Sequence, residues 1–200
     1  MNRSLNENFD TKEKILKSAA KLFRINGYDA TPISEIIRDA AVSKGSLYYY
    51  FPSKQMILYE IVIKSLKDVN PFYEKIFKSD LNPLDKMRKI SRFHVLSMLE
   101  NLDFVSVSLH EASRLEEPYR SRYIYLRDSH QHMYEEIIRT GIEAGIFGPM
   151  NIKLTTYAIL SILNGPQRWY KSEGSFTPEE IADTYANMVC DYILRKPECN

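Results

Sequence analysis

The chain has 200 residues, 44% hydrophobic and 26% charged, enough apolar material to bury one or two cores and too much for a disordered chain. Its 7 glycines and 9 prolines, without a Pro- or Ser-rich run or an internal repeat, exclude linkers, collagen and solenoids. The net charge is only +1, yet residues 1–54 hold nine Lys/Arg against six Asp/Glu, so a mildly basic N-terminal third precedes a slightly acidic body, compatible with nucleic-acid binding.

Residues 1–9 are polar and lack the apolar stretch of a secretory signal, and no run of about 18 apolar residues is present to span a membrane, so a cytoplasmic location is expected. Asp10-Thr11-Lys12-Glu13 reads as a capping box, followed at helical spacing by Ile15, Leu16, Ala19, Ala20, Leu22 and Phe23 and ended by Gly27. Lys14, Lys17, Lys21 and Arg24 form a basic stripe on its other side, which suits a solvated face as well as a phosphate-facing one. Thr31-Pro32 is a second start signal, with Thr31 as N-cap, and Ile33, Ile36, Ile37 and Ala40 supply the buried side of a helix to about 41. Ser43 caps a short helix from about 44 to 51, and Ser53 a long one running to about 77.

From there the pattern stays helical. Asn82 opens a helix to about 100, Asp103 one to about 115, and a long helix spans 117–144 up to Gly145. Two more cover 151–170 and 177–195, the last opened by the capping box Thr177-Pro178-Glu179-Glu180. No segment alternates with period two, so the expected fold is all-α, about nine helices: an N-terminal three-helix domain over 10–55 and a helical domain over 56–196 for ligand binding and dimerisation.

Two short helices joined by a tight turn behind a supporting helix are the layout of a DNA-binding helix-turn-helix, and the second helix carries the chemistry. Leu47 and Phe51, four apart, face inward, while Lys44 with Tyr48 and Gly45 with Tyr49 face outward. A lysine can reach guanine O6/N7, a tyrosine can donate to phosphate or cover a thymine methyl, and Gly45 lets the backbone come close. Lys54 in the first turn of the next helix is electrostatically poor unless an anion is held there, which a DNA phosphate would supply. The expected DNA-binding set is Thr31, Ser43, Lys44, Gly45, Ser46, Tyr48, Tyr49, Tyr50 and Lys54.

The stretch 11–61 resembles the N-terminal domain of the TetR family of bacterial regulators. The likeness rests on Ile15-Leu16, Ala19-Ala20, Leu22-Phe23, Gly27-Tyr28, Thr31, Ile33, Ile36, Ala40, Val42-Ser43-Lys44-Gly45-Ser46-Leu47-Tyr48, Phe51 and Ser53-Lys54. It implies that the helix containing Tyr48 enters the major groove, that Tyr48 and Lys54 contact phosphates, and that positions 44, 45 and 49 read bases. Three positions depart from the family's pattern: Ala41 stands where glycine is preferred, Ile37 where a small residue is usual, and Tyr50 where histidine is common. An alanine at 41 is strained if its φ is positive.

In that family the remaining helices dimerise and bind a small molecule. Ala158, Ser161 and Gly165 put small residues on one face, and Ile181, Tyr185, Met188, Val189 and Tyr192 form a stripe on the last helix, so a four-helix interface between two copies is expected. Polar and aromatic residues among the middle helices mark a candidate effector site: Phe93, His94, Met98, Phe104, Ser108, Tyr123, Arg127, His130, Tyr134, Asn164, Arg168 and Trp169. The segment 139–147, with Asn164-Gly165 and Arg168-Trp169-Tyr170, looks like TetR-family members that respond to acyl or steroid CoA thioesters. Arg168 would then meet a phosphate and Trp169 the adenine or acyl chain.

No nucleotide-binding, metalloprotease or hydrolase motif is present, and Cys190 and Cys199 have neither zinc nor disulfide spacing, so neither an enzyme nor a cofactor nor a metal is expected. The expected function is an effector-released repressor binding a palindromic operator as a homodimer, the effector being hydrophobic or acyl-CoA-like. The alternative is a DNA-binding structural factor of the nucleoid or of division that ignores small molecules.

Overall fold

Ten α-helices and no strand follow one another among residues 2–195, the part of the chain described by this computed structural model. They are α1 (Asn2–Asn26), α2 (Ile33–Asp39), α3 (Lys44–Tyr50), α4 (Lys54–Lys67), α5 (Asn70–Phe77), α6 (Pro83–Glu100), α7 (Leu102–Glu111), α8 (Tyr119–Glu143), α9 (Ile152–Leu163) and α10 (Pro178–Asn187). Residue 196 and Cys199 lie outside the described residues, and with them the end of the expected second domain and the second thiol. Compactness divides the chain into one unit reaching Lys67 and resuming over Asp103–Tyr125, and another made of Asp68–Leu102 with the residues from Leu126 onward.

In the first unit the expected apolar stripe of α1 is inside: Ile15, Leu16, Ala19, Ala20 and Phe23 pack with Ile36, Leu47, Phe51, Ile57, Leu58, Ile61 and Val62, and with Phe104 and Val107 from α7. The helix begins earlier than its capping box suggested. Residues 2–9 contain no glycine or proline to stop it, and Asp10 sits inside α1, its carboxylate taking the Lys14 ammonium one turn on at 2.6 Å.

The start of α2 also differs. Pro32 is its N-cap, and Thr31 is fully buried, donating its hydroxyl to the Gly27 carbonyl at 2.8 Å to close the turn after α1. Ser43 caps α3 as expected, accepting the Ser46 N–H at 3.0 Å, and Ser53 accepts the Met56 N–H at 3.1 Å at the head of α4. So short a helix as α3 does not hold itself. Leu47 and Phe51, without exposed surface, fasten it to the core, each contributing roughly 1.5–3 kcal/mol by burial.

The single helix expected from Ser53 to about 77 is two. Pro71 can neither donate an N–H nor tolerate the carbonyl four residues back, so α4 ends at Lys67 and Pro71 sits in the first turn of α5. The same chemistry shortens the helix expected over 151–170: α9 stops at Leu163, and Gly165-Pro166 turn into a 3-10 segment, Gly165–Arg168. After α10, whose capping box is formed in both directions between Thr177 and Glu180, the chain widens into a π-helical stretch, Met188–Ile193.

The second unit centres on α6. Its Met87, Ile90, Val95 and Met98 are buried, as are Ile181, Ala182 and Ala186 of α10, Tyr134, Ile137 and Ile138 of α8, and Ile159 and Leu163 of α9. Arg92 reaches Asp183 at 2.6 Å and Arg88 reaches Asp191 at 2.8 Å, tying α6 to the last helical segments. The end of α8 is locked by its own turn: Gly145 adopts φ +69, and Ile146 N–H bonds the Gly141 carbonyl at 2.9 Å. The Phe147 ring then covers Gly141 so closely that a Cβ there would sit 2.0 Å from it.

Candidate nucleic-acid interface and effector site

Between α2 and α3 the chain reverses at Ala41, which adopts φ +52. Val42 N–H bonds the Ile37 carbonyl and Ala41 N–H the Arg38 carbonyl, both at 3.2 Å, the paired pattern of a left-handed helix stop. Ile37 and Val42, the two positions at which such a stop usually carries apolar residues, are both packed against the core. The turn is thus the glycine type, built with alanine, at a cost of about 1–2 kcal/mol. Ile37, a departure from the family pattern, has its place in that lock.

With α3 anchored through Leu47 and Phe51, its other sides are open. Lys44, Gly45, Tyr48 and Tyr49 are exposed, Tyr49 most of all at 77%. Tyr50 stands edge-on to Tyr49 at 5.0 Å between ring centres and leans on the core, so of the three successive tyrosines one is partly packed and two project. Gly45 has no folding reason to be glycine: a Cβ there would meet only Ser43 Oγ at 3.9 Å. Ser43 and Ser46 are joined by the cap, which fixes the first turn of α3.

Two expected members of this surface are held differently. Thr31 is withdrawn from it, since burial and the bond to Gly27 leave its hydroxyl nothing to offer outward. Lys54 is only partly exposed: its ammonium lies over the Tyr28 ring at 4.4 Å and donates to the Asp29 carbonyl at 3.3 Å. Burial lowers its pKa. The chain itself therefore answers part of the unfavourable helix-start charge. The basic stripe of α1 is largely paired within the chain, Lys14 with Asp10, Lys21 with Asp39 and Arg24 with Asp103, as a solvated face would be.

The twelve expected effector residues separate. Phe104 and Ser108 are buried in the first unit, and Tyr123 packs against that same core. In the second unit Met98 is buried, whereas Arg127, Arg168 and Trp169 are exposed and Arg127 pairs with its neighbour Asp128 at 2.7 Å. His94, Tyr134 and Asn164 do come together, around a residue the sequence reading missed. His94 Nδ1 lies 3.0 Å from the Tyr73 hydroxyl and 3.2 Å from that of Tyr134, the two hydroxyls are 3.4 Å apart, and His94 Nε2 is 3.1 Å from Asn164 Oδ1. Phe93 stacks on Phe72 at 3.9 Å, and His130 bonds Asn70, a second missed residue. Asn70 and Tyr73 share one face of α5, and the start signal of Pro71 was the clue to that helix.

Electrostatically this cluster is neutral. Burial pushes the His94 imidazole below its ordinary value and that of His130 down to about 4, and it raises the Tyr73 and Tyr134 phenols. No group of three or more metal-ligating side chains occurs among the described residues. Nor, among the described residues, is any helix long and apolar enough to cross a membrane.

A short helix fixed from behind by two buried side chains and presenting lysine, glycine and tyrosine outward, in a chain with a second helical unit, defines a helix-turn-helix transcription regulator. Residues 15–61 match the model of bacterial regulatory proteins of the tetR family, and residues 80–193 that of the tetracyclin repressor-like C-terminal domain. The chain is 28% identical over 185 residues to the transcriptional repressor KstR2 of Mycobacterium tuberculosis, covering 92% of both. Among solved structures it is similar to PfmR, a TetR-family regulator from Thermus thermophilus, with 34% identity, TM-score 0.81 and coverage of 88% of this chain and 97% of that one. AibR in complex with isovaleryl coenzyme A and operator DNA shares the fold, with TM-score 0.81 at 23% identity over 90% of this chain and 98% of that one. The chain belongs to the TetR family of bacterial transcriptional regulators.

Proposed function

We propose that this protein is a cytoplasmic, effector-released repressor that binds a palindromic operator as a homodimer. The carrying observation is the outer face of α3, where Lys44, Gly45, Tyr48 and Tyr49 are exposed and Gly45 serves no purpose in the fold. Lys44, Gly45 and Tyr49 read bases, while Ser43, Ser46, Tyr48, Tyr50 and Lys54 meet the backbone through hydroxyls, the helix start and charge. The functional domains are residues 10–55 for DNA and 56–196 for the effector and the dimer, and the protein has no enzymatic role.

Dimerisation is supported by apolar side chains that the monomer leaves outside. Leu154 is 64% exposed and Tyr192 82%, with Tyr157, Ala158, Ser161 and Met188 also exposed, whereas Ile181 and Val189 of the expected stripe point inward. Helix α9 and the π-helical stretch after α10 thus keep a face for a second copy, and a two-fold pair would place recognition helices roughly 34–36 Å apart, one turn of DNA. The effector is a hydrophobic molecule such as a CoA thioester. KstR2 is described as a ketosteroid regulator, and Arg168 and Trp169 stand exposed after α9, where a phosphate and a ring can be met.

Light scattering should give a dimer with and without DNA. A thermal-shift panel of CoA thioesters, free fatty acids and aromatic compounds should yield a stabilising ligand that also releases bound operator. A monomer in both conditions, or a panel in which every stabilising ligand leaves the DNA complex intact, would refute this reading.

A further inference from the structure

We infer that the Tyr73–His94–Tyr134–Asn164 cluster is the subsite that recognises an uncharged oxygen acceptor, a ketone or hydroxyl, at the buried end of the effector. The inference rests on the effector reading above and assigns the chemistry of the group bound.

Proton bookkeeping carries it. The cluster contains two phenolic O–H donors, and a neutral imidazole whose Nε2–H donates to Asn164 Oδ1 offers them a single lone pair, on Nδ1. One phenol donates to Nδ1, and the other is left with only the 3.4 Å approach to its neighbour's oxygen. The other ring tautomer, with the Asn164 amide turned over, leaves two phenolic protons without an acceptor instead of one. Every assignment therefore leaves a buried donor poorly satisfied, and Tyr73 and Tyr134 are both essentially without exposed surface.

A second observation points the same way. Ser91 and Thr156 are fully buried, and their hydroxyls have no hydrogen-bond partner. Ser91 lies one turn before His94 on α6, and Thr156 lies on α9 two turns before its C-cap Asn164, so two of the four helices that supply the cluster also carry an orphaned hydroxyl. His94 and Asn164 themselves, with Phe72, Phe93 and Asn70 at the margin, keep some accessible surface, so the cluster is not sealed on every side.

The sign of the guest follows from its hosts. Burial holds both histidines neutral, and the four residues of the cluster carry no formal charge, so a carboxylate or ammonium would be desolvated without a counter-charge. A carbonyl or hydroxyl oxygen accepts the spare phenolic proton at no such cost. A methyl end leaves it unpaired.

The test uses the full-length protein and four thioesters of equal chain length: octanoyl-CoA, 7-oxooctanoyl-CoA, 7-hydroxyoctanoyl-CoA and the dicarboxylic suberyl-CoA, titrated calorimetrically. The keto and hydroxy compounds should bind at least about tenfold more tightly than octanoyl-CoA, and suberyl-CoA more weakly than all. Tyr134→Phe should erase that preference, bringing the keto and hydroxy compounds to the affinity of octanoyl-CoA measured on the same variant, and Tyr73→Phe serves if that variant does not fold. Equal affinities across the series, or suberyl-CoA binding tightest, would overturn the subsite. If no thioester binds, the CoA reading alone has failed, and 2-octanone and 2-octanol against octanoate decide the subsite: preference for the neutral pair sustains it, and no binding or preference for octanoate overturns it.

Discussion

Gly45→Ala should strengthen the fold and weaken DNA binding at once. The added methyl meets only Ser43 Oγ at 3.9 Å, ordinary van der Waals contact, and the backbone at 45 is helical within Lys44–Tyr50. Alanine in place of glycine in a helix gains about 0.5–1 kcal/mol, so the melting temperature of the free protein should rise by roughly 1–4 °C. On DNA the same methyl occupies space that close approach of α3 requires, and inserting a methyl into a packed contact costs about 1–3 kcal/mol. Operator affinity should fall roughly 5- to 150-fold. Calorimetric melting and fluorescence anisotropy on a labelled operator read the two effects independently. Unchanged affinity in a normally folded variant would refute the assignment of Gly45 to the groove, and a lowered melting temperature would refute the claim that the fold does not need glycine there.

Four further outcomes follow from particular contacts. Ala41→Gly removes the strain at φ +52 and should stabilise the first unit by about 0.5–1 kcal/mol net of the extra freedom of the unfolded chain, visible as a rise in melting temperature; a fall would mean that the turn is not strained. Lys44→Ala should cost about 1–3 kcal/mol on the operator and little on random DNA, while Lys54→Ala should weaken both and also lower the melting temperature, because its ammonium holds Tyr28 and Asp29; the salt dependence of binding separates the two. Gly141→Ala places a Cβ 2.0 Å from the Phe147 ring and should destabilise the second unit by at least about 2 kcal/mol, whereas Gly145→Ala, with open space around it, should suffer only the φ +69 strain. His130 is held neutral down to about pH 4, so the folded state binds fewer protons than the unfolded one between roughly pH 6.5 and 4, and stability must drop as pH falls through that window, by about 2 kcal/mol at pH 5. His130→Gln should flatten that slope in melting temperature against pH.

How far the sequence revealed all this depends on which signals are local. Caps are local: Ser43, Ser53, Asn82, Asn151 and Thr177 each accept the N–H three residues on, where residue type and position pointed to them. Thr31 shows the limit, since a Thr-Pro pair has the composition of a helix start and yet the burial of Thr31 makes it a turn lock beneath α1. The outward positions of α3 were legible because one short helix cannot bury four aromatic rings, so alternation of inward and outward positions assigns them.

The buried polar cluster of the second unit was legible only in part. Polar residues such as His94, Tyr134 and Asn164 stand out on apolar helices, but which of twelve candidates meet is decided by pairings 40 to 70 residues apart in the chain, on which helical periodicity is silent. Tyr73 was hidden because residues 54–77 read as one helix, in which its face could not be assigned. The motif around residues 139–147 had a structural use as well, since Gly141, Gly145 and Phe147 together end α8.

The most direct test of the central claim, that the outer face of α3 reads a two-fold DNA site, is selection of bound duplexes from a random pool by the purified protein. The account predicts one enriched palindrome whose half-sites are centred about one helical turn apart. No enriched sequence, or an enriched site without two-fold symmetry, would contradict it.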